Sequence, residues 1–362
     1  MNKPIHIVHI ISALTFGGAE RFVVDLINNS DKEKFRFSII TTRDENPLQA
    51  QIKRGDVNIE VIEKKGKISF GLFSAIKNKL QELQPDIVHT NLFVGDFWGR
   101  VATCKLSLPT ITTEHNVNIG ESWLHGFIKR KMRNKSLFYT CPSVAIKNYL
   151  KKYYKIKKPT EVIRYGIELD KFLAIPEIDL SGPIKFFMLG RLTKQKGHKI
   201  ALQALSQLKD GNWQLTIVGD GELENEIKDE IKNLGLQDRV KMEPATSNVV
   251  SVFKKNDIML MPSLWEGLGI VIMESFASGR LVIGSEVGGI PELIREGQTG
   301  YLVESDSVDS LVEKIKWCLE NLSDCKKVAK TARREAEENF GAKEMATKYE
   351  KIYLDIVNKK YE

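Results

Sequence analysis

A chain of 362 residues, 42% hydrophobic and 28% charged, has the makeup of a soluble globular protein with room for two domains. No apolar run approaches the roughly 18–20 residues of a spanning helix, and the four cysteines (Cys104, Cys141, Cys318, Cys325) form no C-x-x-C pair, so free thiols in a reducing cytoplasm are expected. The net charge of +7 is uneven, with 28 Lys and Arg against 19 Asp and Glu in residues 1–180 but 26 against 28 in the remainder.

Ile5–Ser12 is a predicted first strand; His6 and His9 interrupt its apolar run, and no small-residue cleavage site follows, so it does not read as a signal peptide. The turn T-F-G-G-A-E carries Gly17 and Gly18, and a helix is expected from about Ala19 to Asn28. A glycine pair between a first strand and a first helix suits a phosphate or a close backbone approach, although it is not the G-x-G-x-x-G of a dinucleotide site. Strands follow at Phe37–Thr41, Val57–Val61, Asp86–Thr90, Thr110–Thr113 and Phe138–Pro142, with helices over about Ser69–Leu83 and Asp96–Leu106. Ligands of open α/β sheets sit beyond the carboxyl ends of strands. That rule puts His89, Glu114, His115 and Asn116 where a substrate would be met. A helical stretch, 121–135, combines Trp123, Leu124, Phe127 and Ile128 with a cation-rich C-terminal half. It either lies in a membrane interface or packs as an ordinary helix with basic residues favoured at its C-terminus. Residues 121–158 hold 11 basic residues against the single acid Glu121. No nucleic-acid motif accompanies them, so nucleic acid is not expected as a partner.

Pro176, Gly182 and Pro183 and the lack of a helical period mark a linker. A second βα alternation begins at Lys185–Leu189 and continues through strands at Leu215–Val218, Val240–Met242, Ile258–Met261, Leu281–Ile283 and Tyr301–Val303, with a polar helical tail from about Ser307. The loop G-R-L-T-K-Q-K-G (190–197) offers Arg191 as a bidentate fork and Lys196 as a point charge, a pair able to neutralise a leaving pyrophosphate without a metal. The centre of the chain is D-I-M-L-M-P-S-L-W-E-G-L-G-I-V-I-M-E-S-F-A-S-G (257–279), read as strand, tight turn and helix. The amides of Gly267, Leu268, Gly269 and Ile270 are orphan donors at a helix start and suit a phosphate. Glu266 in the turn and Glu274 two turns into the helix suit sugar and ribose hydroxyls, or else a helix cap and a solvated face.

These motifs together resemble family 4 of the retaining glycosyltransferases, which have the GT-B fold. The resemblance covers nearly the whole chain. It rests on F-G-G-A-E (16–20), D-I-V-H-T (86–90), T-E-H-N (113–116), V-I-R-Y-G-I-E (162–168), G-R-L-T-K-Q-K-G (190–197), V-G-D-G-E-L (218–223), 262–279 and G-G-I-P-E-L-I (288–294). It implies an α/β chain of two Rossmann-like domains facing a cleft, with C-terminal helices packing back toward the first domain. The boundaries expected are 1–170 for the acceptor domain, 171–184 for the linker, 185–340 for the donor domain and 341–362 for a returning helix.

It also implies a nucleoside-diphosphate sugar as donor substrate, with no cofactor and no metal. Arg191 and Lys196 match the family's diphosphate pair, Glu274 its ribose glutamate, Glu266 its glutamate beside the sugar, Gly18 a glycine approaching the donor phosphate and His115 its active-site histidine. Two segments depart from the family. K-M-E-P-A-T-S-N (241–248) lacks the usual F-x-G, and Y-G-I-E (165–168) replaces N-G-I-D. The expected reaction is retaining sugar transfer to a hydroxyl of a saccharide or lipid-linked acceptor in cell-surface polysaccharide or glycolipid synthesis. The expected location is the cytoplasm, on the inner face of an anionic membrane. The rivals are a sugar-nucleotide epimerase of similar shape and a non-catalytic subunit of a polysaccharide assembly complex.

Overall fold

Near-continuous apolar runs such as Ile5–Ile11, with its side chains buried along most of its length, form strands covered on both faces, the signature of parallel sheets. The structure is a computed structural model and describes residues 3–63, 70–117, 123–208 and 211–360; the expected helix start at Ser69 and the residues Glu121 and Ser122 lie outside these. The chain divides into two compact units, 1–166 together with 342–362, and 167–341.

In the first unit the strands are β1 (Ile5–Ile11), β2 (Phe35–Thr41), β3 (Asn58–Val61), β4 (Ile87–Asn91), β5 (Thr110–Thr113), β6 (Phe138–Cys141) and β7 (Thr160–Val162), all parallel, in the order β3-β2-β1-β4-β5-β6-β7. The helices between them are α1 (Gly18–Asn29), α2 (Phe70–Leu83), α3 (Leu92–Leu106), α4 (Trp123–Lys131) and α5 (Val144–Tyr149), which runs on into a wider helical turn over Leu150–Tyr154. The strand order reverses between β1 and β4, so the loops after those strands open the crevice where such sheets bind ligands. Beneath it lies a buried polar network. Asp96 accepts from Thr90 and Thr112 and pairs with Arg100, whose guanidinium also reaches Tyr139.

The second unit opens with α6 (Leu169–Leu173) and carries β8 (Ile184–Leu189), β9 (Trp213–Val218), β10 (Val240–Glu243), β11 (Ile258–Met261), β12 (Leu281–Ser285) and β13 (Tyr301–Val303), again all parallel, in the order β10-β9-β8-β11-β12-β13. Its remaining helices are α7 (His198–Ser206), α8 (Glu224–Asn233), α9 (Val249–Lys255), α10 (Ile270–Ala277), α11 (Val308–Glu320) and α12 (Leu322–Asn339). The order reverses between β8 and β11. The segment 171–184, expected as a linker, belongs to this unit: Phe172, Ile175, Ile178 and Leu180 are buried, and Arg333 donates to the carbonyls of Leu173 and Ile175. Its prolines stop helical periodicity without making it a spacer.

The last helix, α13 (Ala342–Val357), packs on α1 within the first unit. Its Tyr349 and Tyr353 are fully buried, and Tyr353 bonds the His89 ring at 2.8 Å. The C-terminal helix thus returns to the first domain, as the fold class implies.

Candidate functional site

In the second unit the loops after β8 and β11, the two strands flanking the reversal, are stitched together by backbone. Leu264 N donates to Gln195 O at 2.8 Å, and the Gln195 amide donates to Trp265 O at 3.0 Å. Gly197 sits at φ +66°, where a Cβ would stand 1.9 Å from the Pro262 carbonyl oxygen, so only glycine lets the loops meet. From the other side Gly288, at φ +55°, would place a Cβ 1.8 Å from Glu266 O. The G-G-I-P-E-L-I segment therefore buttresses the Glu266 turn, a role its sequence motif did not announce.

Within this frame Lys196 Nζ lies 2.6 Å from Glu266 Oε2, and Glu266 Oε1 also accepts from Gly267 N at 3.2 Å. Glu266 and Glu274 are both buried. Gly269 caps α10, a helix apolar nearly all round and buried in the unit. The amides of Leu268, Gly269 and Ile270 donate to no group among the described residues, and exposed Arg191 has no ion pair there either. The buried hydroxyls of Thr193, Ser263 and Ser285 and Nδ1 of His198 also lack partners among the described residues. Unmatched polar groups gathered at strand ends are what a polar ligand would satisfy. Burial, reinforced by the Lys196 charge, holds the His198 imidazole down to about 4, so it is neutral at pH 7.

In the first unit the structure treats the expected residues differently. His89 is not presented at a strand end, because β4 runs on to Asn91. It is fully buried, its nitrogens 2.8 Å from the Tyr353 hydroxyl and 2.6 Å from Thr113 Oγ1, and burial first, then His9 and His115, hold its pKa well below the usual imidazole range. Its place is interior. Glu114 accepts from Lys129 Nζ at 3.0 and 3.1 Å. The buried Oδ1 of Asn116 has no partner among the described residues, and Gly18 is exposed at the start of α1.

His115 lies at the edge of this interior. The Asn91 amide nitrogen donates to the His89 carbonyl at 3.2 Å, so its Oδ1, 3.0 Å from His115 Nε2, must accept from that nitrogen. The Tyr165 hydroxyl then donates to Nδ1 at 2.7 Å. The network thus fixes one tautomer, and burial, with His9 and Lys129 as lesser causes, pushes the imidazole down to about 3. His115 is a neutral, oriented ring at pH 7. Tyr165, which departs from the family's asparagine, holds it; Asn91 gave no sequence signal.

Two parallel α/β units, each with polar groups at its strand ends, fit the GT-B fold, and the comparisons agree. The model described as Glycosyl transferases group 1 matches residues 174–335 and that described as Glycosyltransferase Family 4 matches residues 16–171, and the chain belongs to this family. Its relatives include the UDP-Gal:alpha-D-GlcNAc-diphosphoundecaprenol alpha-1,3-galactosyltransferase of Escherichia coli, 27% identical over 77% of each chain. Another is an amylovoran biosynthesis glycosyltransferase of Erwinia amylovora, 29% identical over 75% of this chain and 65% of that one. Among solved structures, a glycosyltransferase from Rickettsia africae superposes with TM-score 0.82 at 25% identity over 99% of this chain and 100% of that one. Anabaena HepE in complex with UDP-glucose superposes with TM-score 0.83 at 18% identity over 96% of this chain and 99% of that one.

Proposed function

We propose that this glycosyltransferase moves a sugar, with retention, from a nucleoside-diphosphate sugar to a hydroxyl of a saccharide or lipid-linked acceptor in cell-surface polysaccharide or glycolipid synthesis. The single observation that carries the donor half is the set of unmatched donors around Glu266: Arg191 and the amides of Leu268, Gly269 and Ile270. A diphosphate supplies the acceptors these groups lack, at a helix start where an anion is favoured. Arg191, Lys196 and the amides stabilise the charge that develops as the bond from the anomeric carbon to phosphate oxygen breaks. No metal is invoked for that step. Glu274 takes the ribose hydroxyls and Glu266 the sugar. The acceptor oxygen bonds to the anomeric carbon on the face the phosphate leaves, and its proton passes to a phosphate oxygen. His115, neutral and already hydrogen-bonded at both nitrogens, orients groups on the acceptor side and is not the base; Glu114 and Asn116 lie beside it in sequence. Support for a lipid-linked acceptor and a membrane location comes from the diphosphoundecaprenol substrate named for the Escherichia coli relative.

The test is nucleoside diphosphate release with and without acceptor, after a thermal-shift panel has identified the base. Arg191→Ala and Lys196→Ala each remove a charge-assisted contact worth about 1.5–3 kcal/mol, roughly 10- to 100-fold in turnover. Parental turnover in both variants would overturn the donor assignment, and isomerised sugar nucleotide without release would identify an epimerase. Calorimetry with the nucleoside diphosphate alone separates the two glutamates. Glu274→Ala should lose affinity, whereas Glu266→Ala should chiefly slow transfer.

A further inference from the structure

Helix α4 has two unlike faces. Trp123, Leu124 and Phe127 fall within about 100° of arc on a helical wheel. They are 81%, 48% and 51% exposed, an apolar face that no other described element covers. Arg130 and Lys131 continue the same face one turn further on, and Lys131 Nζ lies 5.5 Å from the Phe127 ring centre. Packed beside α4 is the helical turn 150–154, where Tyr153 is 51% exposed, with Lys151 and Lys152 exposed next to it. The opposite face of α4 turns toward the rest of the unit. Lys129, counted by sequence with the cation block, is buried, bonds Glu114 and lies 5.2 Å from the Tyr154 ring. His125 stacks on Phe93 of α3 at 3.9 Å. The helix is therefore held from inside while its apolar face stays outside.

We propose that this outer face is an interfacial docking surface for an anionic bilayer. Trp123, Leu124 and Phe127 enter the headgroup–acyl boundary, and Arg130, Lys131, Lys151 and Lys152 lie among the lipid phosphates. Apolar residues at one end of a helix face and cations at the other match the layering of an anionic interface, oily below and charged above. Single-stranded RNA fits less well. It needs aromatic platforms lined by cations along a groove, whereas this face includes aliphatic Leu124 and keeps its apolar and charged ends apart. The inner face of α4 bonds Glu114, the residue before His115, so the docking helix is tied directly to the acceptor-side strand end. The proposal deepens the lipid-linked reading of the acceptor and rests on it for its purpose, but the surface is tested without donor or acceptor.

The experiment is co-sedimentation of the full chain with phosphatidylcholine vesicles, with and without phosphatidylglycerol. The parent protein should bind only the anionic vesicles and release in high salt. W123S/L124S/F127S, and W123S alone as the milder change, should keep the parental melting curve yet bind about tenfold or more weakly for the triple variant. R130S/K131S/K151S/K152S should lose the preference for anionic lipid. Parental binding by the triple variant would overturn the proposal. So would release by inorganic phosphate beyond that of chloride at equal ionic strength, or displacement from vesicles by single-stranded RNA. Nucleotide binding, read by thermal shift on the same proteins, keeps the two readings apart. If the parent binds vesicles but no nucleoside diphosphate, the donor reading fails and this surface stands.

Discussion

The Lys196–Glu266 pair allows a quantitative test. Its charges are 2.6 Å apart and its side chains 17% and 11% exposed. Two unit charges at about 3 Å attract by about 5 kcal/mol at an effective dielectric near 20, and desolvation of both groups takes back much of that. Changing Lys196 to Met would leave Glu266 with the Gly267 N–H as its remaining bond in the pair's immediate surroundings. Stranding a fully buried charge costs about 3–5 kcal/mol; partial wetting here lowers the expectation to about 2–3. In a cycle of Lys196→Met, Glu266→Gln and the double variant, urea unfolding should show a coupling of about 2 kcal/mol. Saturating nucleoside diphosphate should shrink that coupling, because phosphate then competes with Glu266 for the ammonium. A coupling below about 0.5 kcal/mol, the range of solvent-exposed pairs, would refute the reasoning. A coupling that ignores nucleotide would remove Lys196 from the diphosphate.

Gly288→Ala forces a Cβ against the Glu266 carbonyl at φ +55° and should cost more than about 2 kcal/mol, with a fall in nucleotide affinity; an unchanged melting temperature would contradict the buttress. Acid should also weaken the fold. His9 and His115 are held down to about 3, and His6 and His198 to about 4, against about 6.5 unfolded. Their neutral burial is fully favourable above pH 6.5 and is lost as pH falls toward the folded values, by about 1.4 kcal/mol per unit per histidine. Melting curves from pH 7.5 down to 5 should fall steeply, and His9→Gln should flatten the slope.

The apolar runs and glycine punctuation made the two sheets legible, because parallel strands buried on both faces leave an unbroken hydrophobic signature. Short or polar elements escaped. β7 is only Thr-Glu-Val, and α9 is only seven residues long, too short to show a helical period. α3 starts at Leu92, directly after β4, and not at Asp96, because no turn residues intervene. In the candidate site, Lys196 and Glu266, read from two separate strand-end loops, meet at 2.6 Å. The strand-end rule failed for His89 because sequence does not show how far a strand runs on into the core. The count of cations over 121–158 misplaced Lys129, because a buried ion pair and an exposed cation look alike until the fold supplies Glu114.

The return of α13 has a consequence for biosynthesis. Tyr349 and Tyr353 fill the interior of the first unit around Phe22 and His89. On the ribosome those tyrosines emerge only after the whole of residues 167–341 has been made. The first unit must therefore wait with part of its core missing while the second, contiguous in sequence, is free to fold as it appears. The usual N-to-C order of domain completion is inverted. A nascent chain arrested before Ala342 should present a protease-resistant second unit beside a still-digestible first one.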